Sequence, residues 1–120
     1  MLTSGSPLEF SIRIRKLNGR EINLTDLCLL FYNYKKQRVA IYDLRKHFKA
    51  FVHSGEAIEY VGRIAHFNLI EGIYYVGLYW GVDSVQGDLY DLLKLQLKDD
   101  ASETRIKPYD HQYRGFVELF

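Results

Sequence analysis

Alternation of apolar and polar residues with a period of two recurs along most of the chain. Between Leu8 and Arg15, apolar residues alternate with glutamate, serine and arginine, a pattern typical of a strand with one buried and one solvent-facing side. The run 27–34 (LCLLFYNY) is apolar on both faces and too short for a typical helix, so it predicts a central strand. Similar runs predict further strands at residues 38–43, 57–65, 73–80, 90–98 and 115–120.

Polar and glycine-containing segments separate these predicted strands. Asn18-Gly19 predicts a tight turn, and residues 35–37 predict the turn of a hairpin between the strands on either side. Residues 44–56 lack the capping and stop signals of a full helix, so we expect an irregular connection there. Residues 81–87 are expected to form a loop, and residues 98–114 a polar excursion before the last strand.

The number and spacing of these segments predict the fold class. At least seven short strands about ten residues apart, without alternating helical segments, indicate an all-β protein, and we expect an antiparallel β-sandwich of immunoglobulin-like or jelly-roll type. Residues 1–7 (MLTSGSP) are interpreted as a linker, and residues 8–120 as a single domain. The apolar last strand needs an edge to dock on, in its own sheet or in a partner's.

The charge balance and the cysteine count exclude several classes of protein. Sixteen basic and fifteen acidic residues leave a formal charge of +1, which argues against a nucleic-acid binder held by bulk positive charge. The single cysteine, Cys28, excludes an internal disulfide and a cysteine-rich zinc site. The single cysteine also leads us to expect a reducing compartment. No apolar run reaches the ~20 residues that span a bilayer, so we expect a soluble protein.

Residue types that carry catalysis or bind metals do not fall into recognised motifs. The histidines have no H-E-x-x-H spacing, no serine lies in a G-x-S-x-G frame, and no glycine-rich loop precedes a helix. Asp83, Asp88 and Asp91 cluster around a glycine-containing loop, but their spacing differs from an EF-hand, and a solvated acidic loop is the simpler interpretation. We expect no catalytic residues, no metal and no cofactor, and therefore a binding module instead of an enzyme.

The ten tyrosines are the feature that most indicates a function. Within residues 73–80, alternation places Tyr75, Gly77 and Tyr79 on one face, so Gly77 leaves a trough between two rings. Flat rings with polar tips suit a sugar, whose C–H face is apolar and whose rim carries hydroxyl groups. For any single tyrosine, half-buried packing is the alternative. The candidate carbohydrate-binding residues are Tyr75, Tyr79, Tyr32, Tyr42, Arg38, Glu59 and Arg63.

Five segments of the chain carry a resemblance to a known family. They are FYNYKKQRV (31–39), VGRIAHFNL (61–69), LIEGIY (69–74), YDLLKLQL (90–97) and GFVELF (115–120). Together they resemble the C-terminal domain of the ATP-binding subunit of bacterial polysaccharide ABC exporters, the Wzt type, over residues 8–120. The chain begins after the point where that family's first strand would lie, which implies an excised domain.

The resemblance implies a function and partners. It implies a β-sandwich that binds the finished end of an O-antigen polysaccharide in the cytoplasm, at the inner face of the bacterial inner membrane, and couples chain termination to export. It also implies a homodimer, often formed by exchange of the last strand, and association with the nucleotide-binding and membrane subunits of an ABC transporter. The chain contains no Walker motif, so the ATPase module is expected elsewhere. A protein-interaction β-sandwich that uses the same aromatic face, or an open sheet edge, is the alternative.

Overall fold

The computed structural model describes residues 2–15, 22–46, 53–55, 57–82, 85–98 and 115–117. Within these ranges the regular structure consists of eight β-strands and one short 3-10 turn. The all-β class predicted from the alternation is confirmed. None of the described residues form a helix long and apolar enough to cross a membrane.

The strands follow the predicted segments closely where the alternation is clear. The predictions for residues 8–15 and 38–43 match the observed bounds, and the one for residues 57–65 is a single residue too long. The 3-10 turn Leu44–Lys46 lies in the segment where an irregular connection was expected. The strands are β1 Leu2–Thr3, β2 Leu8–Arg15, β3 Ile22–Tyr32, β4 Arg38–Asp43, β5 His53–Gly55, β6 Ala57–Ile64, β7 Gly72–Val82 and β8 Val85–Lys98.

The eight strands form two sheets. The larger sheet has the order β1-β8-β7-β3-β4, with β5 also pairing with β3, and the smaller sheet consists of β2 and β6. All pairs are antiparallel except the short parallel pair of β1 with β8. Strand β3 lies between β7 and β4, which confirms the central strand expected from its apolar run.

Both sheets contribute to one hydrophobic core. Leu29 and Phe31 of β3 pair with Leu78 and Val76 of β7, and all four side chains are buried. The smaller sheet adds residues such as Tyr60 to the same cluster. The alternation predicted for β7 is confirmed, because one face is buried in the core and the other faces away from it. The buried face consists of Tyr74, Val76 and Leu78.

A buried asparagine organises the turn between β3 and β4. Asn33 is 1% exposed, and its Oδ1 accepts hydrogen bonds from the backbone N–H groups of Lys35 and Gln37, both at 2.9 Å. Its Nδ2 donates to Gln37 Oε1 at 3.0 Å. Lys36 adopts a φ of 65° in this turn, a conformation that usually favours glycine. The predicted hairpin is confirmed, and Asn33 is the residue that holds its Lys-Lys-Gln turn in shape.

The loop predicted at residues 81–87 is too long, because β8 already begins at Val85; residues 83 and 84 lie outside the described residues. Strand β7 continues to Val82, and the ladder pairs Gly81 with Gln86. A Cβ at Gly81 would lie 2.9 Å from Thr25 Oγ1, and one at Gly87 would lie 2.6 Å from the Trp80 ring. These glycines lie inside strands because neighbouring side chains fill the space that a Cβ would need.

The segment interpreted as a linker lies against the domain. Leu2 pairs with Leu97 of β8, and the buried Ser4 donates a hydrogen bond from Oγ to the Leu69 carbonyl at 2.6 Å. Near the other end of the chain, Val117 forms an antiparallel bridge with Leu69. The predicted Asn18-Gly19 turn, most of the polar excursion and the last three residues of the predicted closing strand lie outside the described residues.

Candidate binding cleft on the outer face of the larger sheet

The face of the larger sheet that points away from the core carries the predicted tyrosines of β3 and β7. Side chains of directly paired residues project to the same side of a sheet. The ladder pairs Tyr32 with Tyr75, Leu30 with Gly77, and Cys28 with Tyr79. Because Phe31 and Val76 face the core between these pairs, the pairs lie on the outer face.

The Tyr32 ring fills the trough predicted at Gly77. A Cβ built at Gly77 would lie 3.2 Å from Tyr32 Cε2, and Tyr32 is only 6% exposed. Its hydroxyl accepts a hydrogen bond from Arg38 Nη2 at 3.0 Å, and the guanidinium carbon lies 5.5 Å from the ring centroid. Tyr32 therefore packs over the glycine and is too buried to offer an open ring face to a ligand.

The Tyr75 ring is also covered. Lys36, from the turn between β3 and β4, places its Nζ 3.3 Å from the centroid of the Tyr75 ring. A cation over an aromatic face is a favourable contact, so a sugar that stacks on Tyr75 has to displace this ammonium group first. Tyr79, at the other end of the predicted aromatic surface, differs from Tyr75 because it borders open space.

Tyr79 borders an open cleft of about 380 Å³, which we call the outer-face cleft. That volume is at the lower end of the range for small-molecule sites, about 300–1,000 Å³. The lining brings one aromatic ring together with apolar and charged side chains from four strands and the 3-10 turn. Its residues are Asp26, Leu27, Cys28, Leu30, Arg38, Ile41, Asp43, Arg45, Tyr79 and Asp88.

Arg45 ties two carboxylates of the cleft together. Its Nε and Nη2 donate to the two oxygens of Asp43 at 3.0 and 2.9 Å, and its Nη1 donates to Asp26 Oδ1 at 3.1 Å. These hydrogen bonds lower the pKa of Asp43 below its ordinary value. A bidentate arginine–carboxylate pair has a fixed planar geometry, so this wall of the cleft is preorganised.

Two further groups complete the electrostatics of the outer-face cleft. Asp88 is exposed and lies directly opposite Tyr79 in the ladder, so its carboxylate flanks the ring. Burial, followed by the nearby Asp43 carboxylate, raises the pKa of the Cys28 thiol, which is therefore protonated at neutral pH. The cleft thus combines an aromatic ring with hydrogen-bond donors and ionised acceptors and has no thiolate.

The structure brings four of the seven predicted residues to this outer face and separates the other three. Tyr42 pairs with Leu29 on the core side, where its ring meets Phe10 edge-on at 5.6 Å. Glu59 and Arg63 lie on β6 of the smaller sheet. Alternation separates the two faces of a strand, but which face of β4 meets the core and which sheet contains β6 both depend on long-range pairing. The grouping was therefore wrong about the face for Tyr42 and about the sheet for Glu59 and Arg63.

Sequence reasoning missed most of the charged residues in the outer-face cleft. Asp26 interrupts the apolar residues of β3, and Asp43 ends β4. A charged residue on an otherwise apolar strand is therefore the sequence feature that could have identified these two cleft residues. Asp88, considered as part of an acidic loop, lies within β8 instead. Among the described residues, no group of three or more His, Cys, Asp or Glu side chains is arranged to hold a metal ion.

No protein-family model matches the chain, and no curated protein matches it either. The resemblance to polysaccharide exporters stays a prediction from sequence, and the case for a function depends on the site.

Proposed function

We propose that the outer-face cleft binds a carbohydrate and that the chain is a binding module without catalytic activity. The observation that carries the proposal is the position of Tyr79, an aromatic ring at the edge of a cleft of about 380 Å³ lined by guanidinium and carboxylate groups. A pyranose presents an apolar C–H face and a rim of hydroxyl groups, and a ring beside charged hydrogen-bonding groups complements both.

Each part of the cleft has a distinct role in this proposal. The Tyr79 ring stacks on the C–H face of the sugar, Asp88 accepts hydrogen bonds from hydroxyl groups, and Arg38 donates to them. The Asp26–Arg45–Asp43 network holds its wall in a fixed geometry, so little ordering is required when the sugar binds. Ile41, which is 60% exposed, supplies apolar surface on the opposite side.

The identity of the glycan is a finer proposal that the sequence resemblance supports. We propose that the ligand is the finished end of an O-antigen polysaccharide, recognised in the cytoplasm at the inner membrane and coupled to export by an ABC transporter. The same resemblance supports a homodimer formed by exchange of the C-terminal strand. A glycan array that includes O-antigen termini tests the ligand, and light scattering on the purified chain tests the dimer.

Tyr79→Ala tests the carbohydrate proposal directly. Loss of one stacked ring is expected to weaken glycan binding by about 1–2 kcal/mol, roughly tenfold in affinity, with little change in stability because Tyr79 faces away from the core. Tyr34→Ala is the matched control, since Tyr34 is 65% exposed on the hairpin turn and does not line the cleft. Calorimetric titration with the best ligand from the array measures both variants. Equal affinity of the Tyr79→Ala variant and the unaltered chain contradicts the proposal.

The non-catalytic part of the proposal has its own test. The sequence motifs of nucleophilic, metal and phosphate chemistry are missing, and Asp88 is the exposed carboxylate nearest in register to Tyr79. Incubation of the chain with the bound oligosaccharide is expected to release no product. Hydrolysis that disappears in an Asp88→Asn variant would show that the module is an enzyme.

A protein-interaction module is the second candidate, favoured by the sheet edges. Within the described part of the chain, the smaller sheet has two strands, so one edge of β2 and one edge of β6 have no ladder partner. Such edges accept an extended peptide by strand addition. Titration with oligosaccharide and with extended partner peptides separates the two functions, because Tyr79→Ala affects only the first.

A further inference from the structure

Two rows of charged side chains cross the outer face of the larger sheet. The first runs over four strands from Arg38 through Tyr32 and Tyr75 to Lys94, because the ladders pair each of these residues with the next. Directly paired side chains project to the same side of a sheet, so all four lie on the outer face. We call this set the basic row, since it has a cation at each end and two aromatic rings in the middle.

Lys36 adds a third cation above the basic row. Its Nζ lies 3.3 Å from the centroid of the Tyr75 ring, and Lys94 is the direct neighbour of Tyr75 in the ladder. Lys36, Arg38 and Lys94 are all exposed. A cation held over an aromatic face has less freedom to lose when a ligand binds, so the Tyr75 ring prepositions the Lys36 ammonium group for an anion. Lys36 and Lys94 therefore bring two cationic side chains next to one ring.

The second row lies four residues away along β3 and β7 and carries carboxylates. It runs from Asp43 through Cys28 and Tyr79 to Asp88, and all four of these residues line the outer-face cleft. A strand rises about 3.3 Å per residue, so the two rows are about 13 Å apart. The outer face is therefore positive at one end and borders an acidic cleft at the other.

This distribution of charge restricts the ligands that the outer face accepts. At the cleft end, Asp26, Asp43 and Asp88 outnumber Arg45. A uniform polyanion, such as a nucleic acid or an anionic membrane surface, would bring negative charge against these carboxylates as well as against the basic row, and like charges in contact disfavour binding. A neutral glycan makes no use of the three cations. A ligand with one local negative charge on an otherwise neutral framework fits both ends.

We propose that the glycan of the outer-face cleft carries an acidic substituent, a carboxylate or a phosphate, that binds at the basic row between Lys36 and Lys94. The inference rests on the proposed function, because the same ligand has to reach Tyr79. Arg38 lines the cleft and belongs to the basic row, so the two sites are continuous. The separation of about 13 Å exceeds the width of one pyranose ring, so the acidic sugar and the stacked sugar are different residues of an oligosaccharide.

Trisaccharides that differ by one acidic group test the inference by calorimetric titration. The probes are trisaccharides of glucose, mannose and galactose, each as the neutral compound, with one hydroxymethyl group oxidised to a carboxylate, and with one phosphate on that hydroxymethyl group. The best acidic probe is expected to bind about tenfold more tightly than its neutral counterpart, and the preference should shrink as the salt concentration rises. Neutral binding that Tyr79→Ala weakens, without any preference for acidic probes, overturns this inference alone. Absence of binding by every probe overturns it together with the carbohydrate proposal.

Lys94→Gln is the first variant, because Lys94 is exposed and does not line the outer-face cleft. The ratio of acidic to neutral affinity is expected to fall by up to about fivefold, the effect of one exposed ionic contact. Arg13→Gln is the matched control, since it removes one positive charge from an exposed position on the smaller sheet. An equal effect of the two substitutions means that net charge sets the preference, and this result contradicts the site.

Lys36→Asn tests the ammonium group over the Tyr75 ring. Asparagine tolerates the positive φ of this position, so the substitution removes the charge without straining the turn. The ratio of acidic to neutral affinity is again expected to fall by up to about fivefold. An acidic side chain of the chain itself is the competing occupant of the basic row. A lower melting temperature of Lys36→Asn and Lys94→Gln than of Arg13→Gln, with an unchanged affinity ratio, would identify that occupant and overturn the inference.

Discussion

Gly77 is the position at which the packing of the outer face can be tested by adding a single methyl group. A Cβ at this position would lie 2.6 Å from the carbonyl oxygen of Leu89 and 3.2 Å from the Tyr32 ring. Real Cβ contacts are essentially never shorter than 3.0 Å, so Gly77→Ala forces a displacement of several tenths of an ångström. The atom that has to move belongs to the backbone of β8, next to a bulge in the β7–β8 ladder.

The magnitude follows from the kind of atom that is displaced. Overpacking a well-packed position costs about 1–3 kcal/mol, and the upper half of that range applies where a backbone carbonyl in a ladder cannot rotate away. For a domain of 120 residues, each kcal/mol corresponds to about 4 °C in melting temperature. Gly77→Ala is therefore expected to lower the melting temperature by about 8–12 °C.

Gly62→Ala is the control for this measurement. A Cβ at Gly62 would meet the far end of the Phe10 ring, and Phe10 is only half-buried, so its side chain can turn. The expected loss is below about 1 kcal/mol, or about 4 °C. Thermal unfolding followed by circular dichroism measures both variants. If Gly62→Ala is the more damaging substitution, the reasoning about backbone and side-chain contacts is refuted.

Two further predictions concern the hairpin and the ion network. Asn33→Ala removes the acceptor of two backbone N–H groups and is expected to cost about 1–3 kcal/mol, more than Gln37→Ala, in urea unfolding; equal losses would contradict the role of Asn33. The lowered pKa of Asp43 means that its stabilising contribution is present above the ordinary aspartate value of about 3.9 and is lost as the pH falls through the lower value in the folded protein. Arg45→Gln should therefore flatten the decline of melting temperature on acidification, and an unchanged pH profile would show that the Arg45–Asp43 pair has no effect on stability.

The sequence by itself determined the position of the strands in which alternation is clear, and it separated the two faces of those strands. Alternation is a local property, because successive side chains of a strand project to opposite sides whatever its neighbours are. That is why the bounds of β2 and β4 and the buried face of β7 agree with the prediction. The same local information misassigned Gly81 and Gly87 to a loop, because it cannot distinguish a turn glycine from one whose space is filled by Thr25 or Trp80.

Only the tertiary structure decided which outward-facing strand surfaces lie next to one another. Glu59 and Arg63 are as polar and exposed as the cleft residues, but β6 pairs with β2, so they lie on the other sheet. Long-range pairing also brings Arg45 beside Asp26, nineteen residues earlier, and sets Asp88 opposite Tyr79. Strand register depends on contacts across the whole sheet, and it determines the neighbours of every outward-facing side chain. The Tyr32 ring fills the space over Gly77 for this reason.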